Sequence, residues 1–354
     1  MNKRSMSLLA SLVVVAALAV LAMKFNPVAR NRQGTDLAGA GESASNAGGN
    51  ASRGPASKVE ERPLPSVDMP LGAVIDDLKR RADRGEANAA CRLAAEWTYC
   101  QGLQRQLQGN EAMLRDQERM AVRVSSAENM KRAGMSAEAL ERGINYAQDQ
   151  VDRSRSQLAH CDGVPAPRPD EITRYWRRAA LAGHLPSKRN YAVGNAFRRD
   201  EVLDNLPALA VYRQEAVRIA REAVAQGDLR AAIALAGAYS PQNARSRTYL
   251  SQLVEPDAGE ALGLLYRIND VIGRSGRYPV HANVRSELAG MIEDLEATMS
   301  PQDVQAAGNR AGNSPPLVAG FRDLQGLSMV AGGFVADVPR EECDLAAWGK
   351  DPYP

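Results

Sequence analysis

Two stretches, "YWRRAALAGHLPSKRNYAVGNAF" (Tyr175 to Phe197) and "AVRIAREAVAQGDLRAAIALAGAY" (Ala216 to Tyr239), decide how this chain of 354 residues folds. Each holds a glycine, Gly183 or Gly227, inside a helix-favouring run, and the residues around it share one register. Four positions on stands a small residue, Ser187 or Ala231; eight on, Tyr191 or Leu235; nine on, Ala192 or Ala236. Three and seven positions before it are Ala180 and Trp176 in one stretch, Val224 and Ala220 in the other. The same frame fits Gly85, with Leu78 and Ala82 before it and Ala89, Leu93, Ala94 and Trp97 after it. Each feature has a task in a pair of antiparallel helices. The glycine takes the left-handed conformation that ends the first helix without a Cβ penalty. Small residues beyond it let the two helices approach, and the larger ones fill the seam. Twelve positions past each glycine, Trp97, Asn195 and Tyr239 reach toward the next pair, and Ser240 with Pro241 stops the last helix.

The spacing of these signatures resembles that of the Sel-one-like repeat (SLR) family, α-helical repeats related to tetratricopeptide repeats. Asn195 departs from the aromatic residue of that pattern, and Ser187 replaces its alanine. A weaker fourth unit starts at "DAGEALGLLYRINDVIG" and returns through "HANVRSELAGMIEDL". The resemblance covers about half of the chain, chiefly residues 70–100 and 170–295. It implies an all-α fold, a short α-solenoid whose concave surface docks protein partners. A non-repetitive helical bundle is the alternative.

Gly183 and Gly227 lie 44 residues apart but Gly85 and Gly183 lie 98 apart, so something is inserted after the first unit. Within "CQGLQRQLQGNEAMLRDQERMAV" and its return, two series run in steps of four and three. The first is Leu103, Leu107, Asn110, Leu114, Gln117, Ala121 and Val124. The second is Leu140, Ile144, Ala147, Val151, Ser154, Leu158 and Cys161. These are the seam positions of an antiparallel coiled-coil hairpin over residues 101–160, with arms roughly 33 Å long. Cys100 and Cys161 sit on that seam at its base and are expected to form a disulfide. Cys91 cannot pair with Cys100, because nine residues of helix separate them by roughly 13 Å. Elimination leaves Cys91 with Cys343; free buried cysteines are the alternative for both pairs. At the tip, Ser125 and Glu128 read as a capping box. Met130 and Met135 there offer a partner contact or a soft-metal site, or simply plug the apex.

Residues 1–24 begin "MNKRSMSLLASLVVVAALAVLAMK", with basic residues ahead of an uncharged apolar run. This reads as a signal anchor spanning the membrane, with a cleaved signal peptide as the alternative. Residues 25–69 are rich in Gly, Ala, Ser and Asn and read as a flexible tether. The folded part, expected from Pro70, then lies in the periplasm of a bacterial envelope, tethered to the inner membrane or secreted. Further repeats fill residues 161–300. Ser300 and Pro301 open a short helix in the tail, residues 301–354. The glycine-broken stretch Leu317 to Val338 either straps the solenoid groove or binds elsewhere.

A net charge of +2 gives no reason to expect nucleic acid. The three histidines, His160, His184 and His281, lack second ligands at metal-site spacing, and no nucleotide or nucleophile motif is present, so no cofactor is expected. The functional expectation is a protein-interaction scaffold or regulator. Its rivals are an envelope enzyme acting on cell-wall polymers, with Glu96 or Glu171 as the acid, and a structural spacer.

Overall fold

The computed structural model describes residues 62–243, 248–274, 280, 282–318, 327 and 335–344. Among them are eleven α-helices and no strand, only one isolated bridge between Asp228 and Val318. The chain is all-α. The signal anchor, most of the tether, His281 and most of the Leu317 to Val338 stretch lie outside the described residues. No described helix is long and apolar enough to cross a membrane.

The first pair is α1 (Leu71–Asp83) and α2 (Ala87–Arg123). Helices α3 (Ala127–Ala133) and α4 (Ala137–Leu158) complete the hairpin. Then follow α5 (Pro169–Leu181), α6 (Leu185–Ala192), α7 (Leu206–Ala225) and α8 (Leu229–Tyr239). The last three are α9 (Ala258–Arg274), α10 (Ala282–Thr298) and α11 (Pro301–Asn313). Apart from the excursion of α3 and α4, each helix from α1 to α10 packs on the next; α5 takes its place directly against α2, and α11 lies back on α9.

The pairs α1/α2, α5/α6 and α7/α8 close through one turn. Gly85, Gly183 and Gly227 have φ of +97°, +97° and +93°. In each case the glycine N–H donates to the carbonyl three residues back, and the next N–H to the carbonyl five residues back. The latter bonds are Glu86 to Arg81, His184 to Ala179 and Asp228 to Ala223. This is the Schellman arrangement, and it closes the first helix on its own orphan carbonyls. The residue after the glycine is already the N-cap of the second helix: His184 accepts from the Ser187 N–H and Asp228 from the Ala231 N–H. Ala89, Leu93, Trp97, Ser187, Tyr191, Ala231, Leu235 and Tyr239 are all buried.

Burial follows the helical period. On α5, Ile172, Tyr175, Trp176, Ala179 and Ala180 share one face; on α7, Tyr212, Ala216, Ile219, Ala220 and Ala223 do. Asn195 is where the second pair departs from the others. Helix α6 stops at Ala192, and Gly194 (φ +89°) passes so close to Tyr249 that a Cβ there would stand 2.6 Å from it. Phe197, two residues past Asn195, supplies the aromatic instead and packs with Tyr191, Tyr212 and Tyr249 at centroid distances of 4.9–6.2 Å.

Two boundaries differ from the sequence expectation. No break falls at Cys100: the second helix of the first pair and the first arm are one helix of 37 residues. The periodicity changes from a buried face to a coiled-coil seam without anything that stops a helix. The tether also ends earlier than Pro70. Buried Arg81 bonds the carbonyls of Arg62 and Pro63 as well as the Glu86 carboxylate, and so draws the chain ahead of α1 onto the fold.

Candidate interaction surfaces

The arm is built as its heptads require. All fourteen seam positions of α2, α4 and the residues flanking them are buried or half-buried, while most of the residues between are exposed. The polar seam residues are paired. Asn110 Nδ2 donates to Ser154 Oγ at 2.8 Å and to the Gln150 carbonyl at 3.3 Å. Gln117 lies over Gly143, where a Cβ would come within 3.0 Å of its Oε1. At the tip, Ser126 rather than Ser125 caps α3, accepting from the Asn129 N–H. The extra residue completes the turn out of α2, and Glu128 pairs with Arg132 instead of closing a capping box. Met130 and Met135 are half-buried, and the Met135 N–H donates to the Met130 carbonyl across the turn at Gly134. Among the described residues, no group of three or more His, Cys, Asp or Glu side chains is arranged to hold a metal ion. The arm leaves Met120, Val122 and Tyr146 exposed, Val122 at 76 %.

At the base of the arm the structure brings both expected cysteine pairs together as disulfides. Cys100 and Cys161 have Cα atoms 5.9 Å apart, and Cys91 and Cys343 5.5 Å apart. The second pair fastens residues 335–344, a segment with one short 3-10 turn, against α2 and α6. Asn195 Nδ2 donates to the Val335 carbonyl, the Val338 N–H donates to Asn190, and Arg198 pairs with Asp337. Arg189, buried on α6, binds Asp228 and Glu342 together. Arg340 stacks on Tyr99, 3.9 Å from the ring centroid, and reaches Glu96 at 3.1 Å. The tail also touches down earlier, where the Val318 N–H donates to the Gly227 carbonyl at 2.8 Å. Its described parts are docked on the body.

The residues weighed for chemistry have structural work. Glu96 is 1 % exposed and held by Arg92, Arg340 and His160. Glu171 accepts from the Arg168 N–H at the start of α5. The two carboxylates share no described cavity. His184 is buried with its Nδ1 accepting at the N-cap; burial draws its pKa down to about 4. Burial pushes Glu215 upward, but hydrogen bonds from Arg177 and Tyr191 outweigh it and hold the carboxyl below its ordinary value. That trio joins α5, α6 and α7. The residues that fasten the tail, Tyr99, Arg189 and Asn190, were not singled out in the sequence. Nothing local marks them, since their partners in the tail lie about 150 residues or more away.

No protein-family model, curated protein or solved structure matches this chain.

Proposed function

We propose that this chain is a membrane-tethered, extracytoplasmic helical-repeat protein of the SLR type, a scaffold or regulator whose partner contact lies on the coiled-coil arm. One observation carries the reading: three helix pairs with the same Schellman turn follow one another, each helix on its predecessor, and a long arm with exposed apolar side chains leaves them. Sequential packing of this kind is what a short α-solenoid requires. Two disulfides fit an oxidising compartment, in line with the apolar segment at residues 1–24. The tail occupies part of the surface between α2 and α6, so the arm is the better contact. Exposed Val122 and Tyr146 suit a protein partner and do not support a role in nucleic-acid binding.

The tail's docking also favours a second reading, a spacer that holds its own groove closed. One experiment separates the two. The full chain is purified from gently solubilised membranes beside a form lacking residues 103–158, with Cys100 and Cys161 retained. A stoichiometric partner that rebinds the purified full chain but not the deleted form supports the scaffold. Equal recovery with both forms removes the arm from the contact, and no partner with either favours the spacer.

A further inference from the structure

A cavity of about 590 Å³ lies between α9 and α11. Glu260, Leu264 and Arg267 line it from one face of α9, and Asn309, Arg310 and Asn313 from α11. Arg267 is the unusual member. Its Nη2 donates to the carbonyls of Pro315 at 2.7 Å and Val224 at 3.5 Å. Its Nε is buried with no hydrogen-bond partner, and no carboxylate among the described residues comes within ion-pair distance. Burial alone draws its pKa below the ordinary guanidinium value, with no acidic neighbour to offset it. The half-buried guanidinium thus fastens Pro315 beside the end of α7, and its buried Nε is the donor those bonds leave over.

Arg310 is loosely held. Its Nε stands 3.8 Å from Glu260 Oε1, and both side chains are nearly half exposed. Its guanidinium lies across Gly259, where a Cβ would meet it. Two arginines and one glutamate leave a single positive charge in a cavity whose other walls include Leu264, Ala306 and Ala311. A carboxylate matches that charge and the planar donor edge of a guanidinium, whereas a phosphate dianion would leave excess negative charge beside Glu260. The volume accepts more than an isolated carboxylate.

We infer that the cavity between α9 and α11 is a binding site for an acidic side chain of a partner polypeptide, with Arg267 as the principal donor and Arg310 as the second. The site is independent of the arm, so neither reading depends on the other.

The test is isothermal titration of the full chain in mild detergent with a short acetylated, amidated Glu-Ala-Glu peptide. The Glu peptide is expected to bind the wild-type chain, and affinity to fall at least tenfold in Arg267→Met and, separately, in Arg310→Met. The matching Gln-Ala-Gln peptide is expected to give no binding. Equal affinity for wild type and both variants, or no binding to wild type, would overturn the inference. So would displacement of the peptide by equimolar inorganic phosphate, which would change the ligand class.

Discussion

His184 makes stability depend on pH in a way that a single substitution isolates. Its ring is 2 % exposed and its Nδ1 must stay unprotonated to accept the Ser187 N–H. Burial lowers its pKa to about 4, against about 6.5 in an unfolded chain. Between those values the unfolded state takes up a proton that the folded state refuses, so stability falls as pH falls. The stabilisation is fully present above about pH 6.5, and the loss is complete near pH 4. A gap of that size corresponds to about 3 kcal/mol, or about 1.4 kcal/mol per pH unit in mid-range. His184→Asn keeps an N-cap acceptor and removes the titration. Urea unfolding of both proteins, disulfides intact, at intervals from pH 7.5 to 4 gives the difference directly, because the carboxylates common to both cancel. The stability of wild type relative to the variant should drop by about 3 kcal/mol over the range. Parallel curves would refute the assignment of a buried neutral ring.

Gly85→Ala and Gly183→Ala meet no atom within 4 Å and should each cost only the backbone penalty, about 1–2 kcal/mol in urea unfolding. Gly227→Ala should cost more, because its Cβ would stand 3.2 Å from Val318 and 3.3 Å from the Pro316 carbonyl, and hydrogen exchange at the Val318 amide should rise. Replacing Cys100 and Cys161 by serine opens a loop with a sequence separation of 61 and should lower stability by about 4 kcal/mol in the chain-entropy account. Arg189→Met breaks the two buried ion pairs that join Asp228 and Glu342 and should cost about 3–5 kcal/mol, with protease nicking of the tail as a second readout.

What was legible in the sequence was local or periodic. The three glycines announced their turns because a left-handed residue between two apolar helical faces has few substitutes. The arm was legible because a seam repeated over fourteen positions leaves no other face to bury. The cysteine pairs followed from the seam and from elimination. What was missed depends on contacts between distant segments. The docking of residues 62–69 through Arg81, and of residues 335–344 through Tyr99, Arg189 and Asn190, leaves no periodic trace. Asn195 looked like a poor match to the pattern of its neighbours; its amide instead fastens the tail, and Phe197 carries the aromatic packing. The α9 and α11 cavity was equally silent, since only the packing of Pro315 and Val224 around Arg267 leaves its Nε buried without a partner.

The unbroken course of α2 through Cys100 has a mechanical meaning. A helix of 37 residues is a rod about 55 Å long, and its first third is clamped by Ala89, Leu93 and Trp97 inside the fold. With no hinge at the base and a disulfide tying the returning arm beside it, the arm cannot swing on its own. A load applied at Val122 is delivered as torque to the α1/α2 contact and, through Cys91, to the fastened tail.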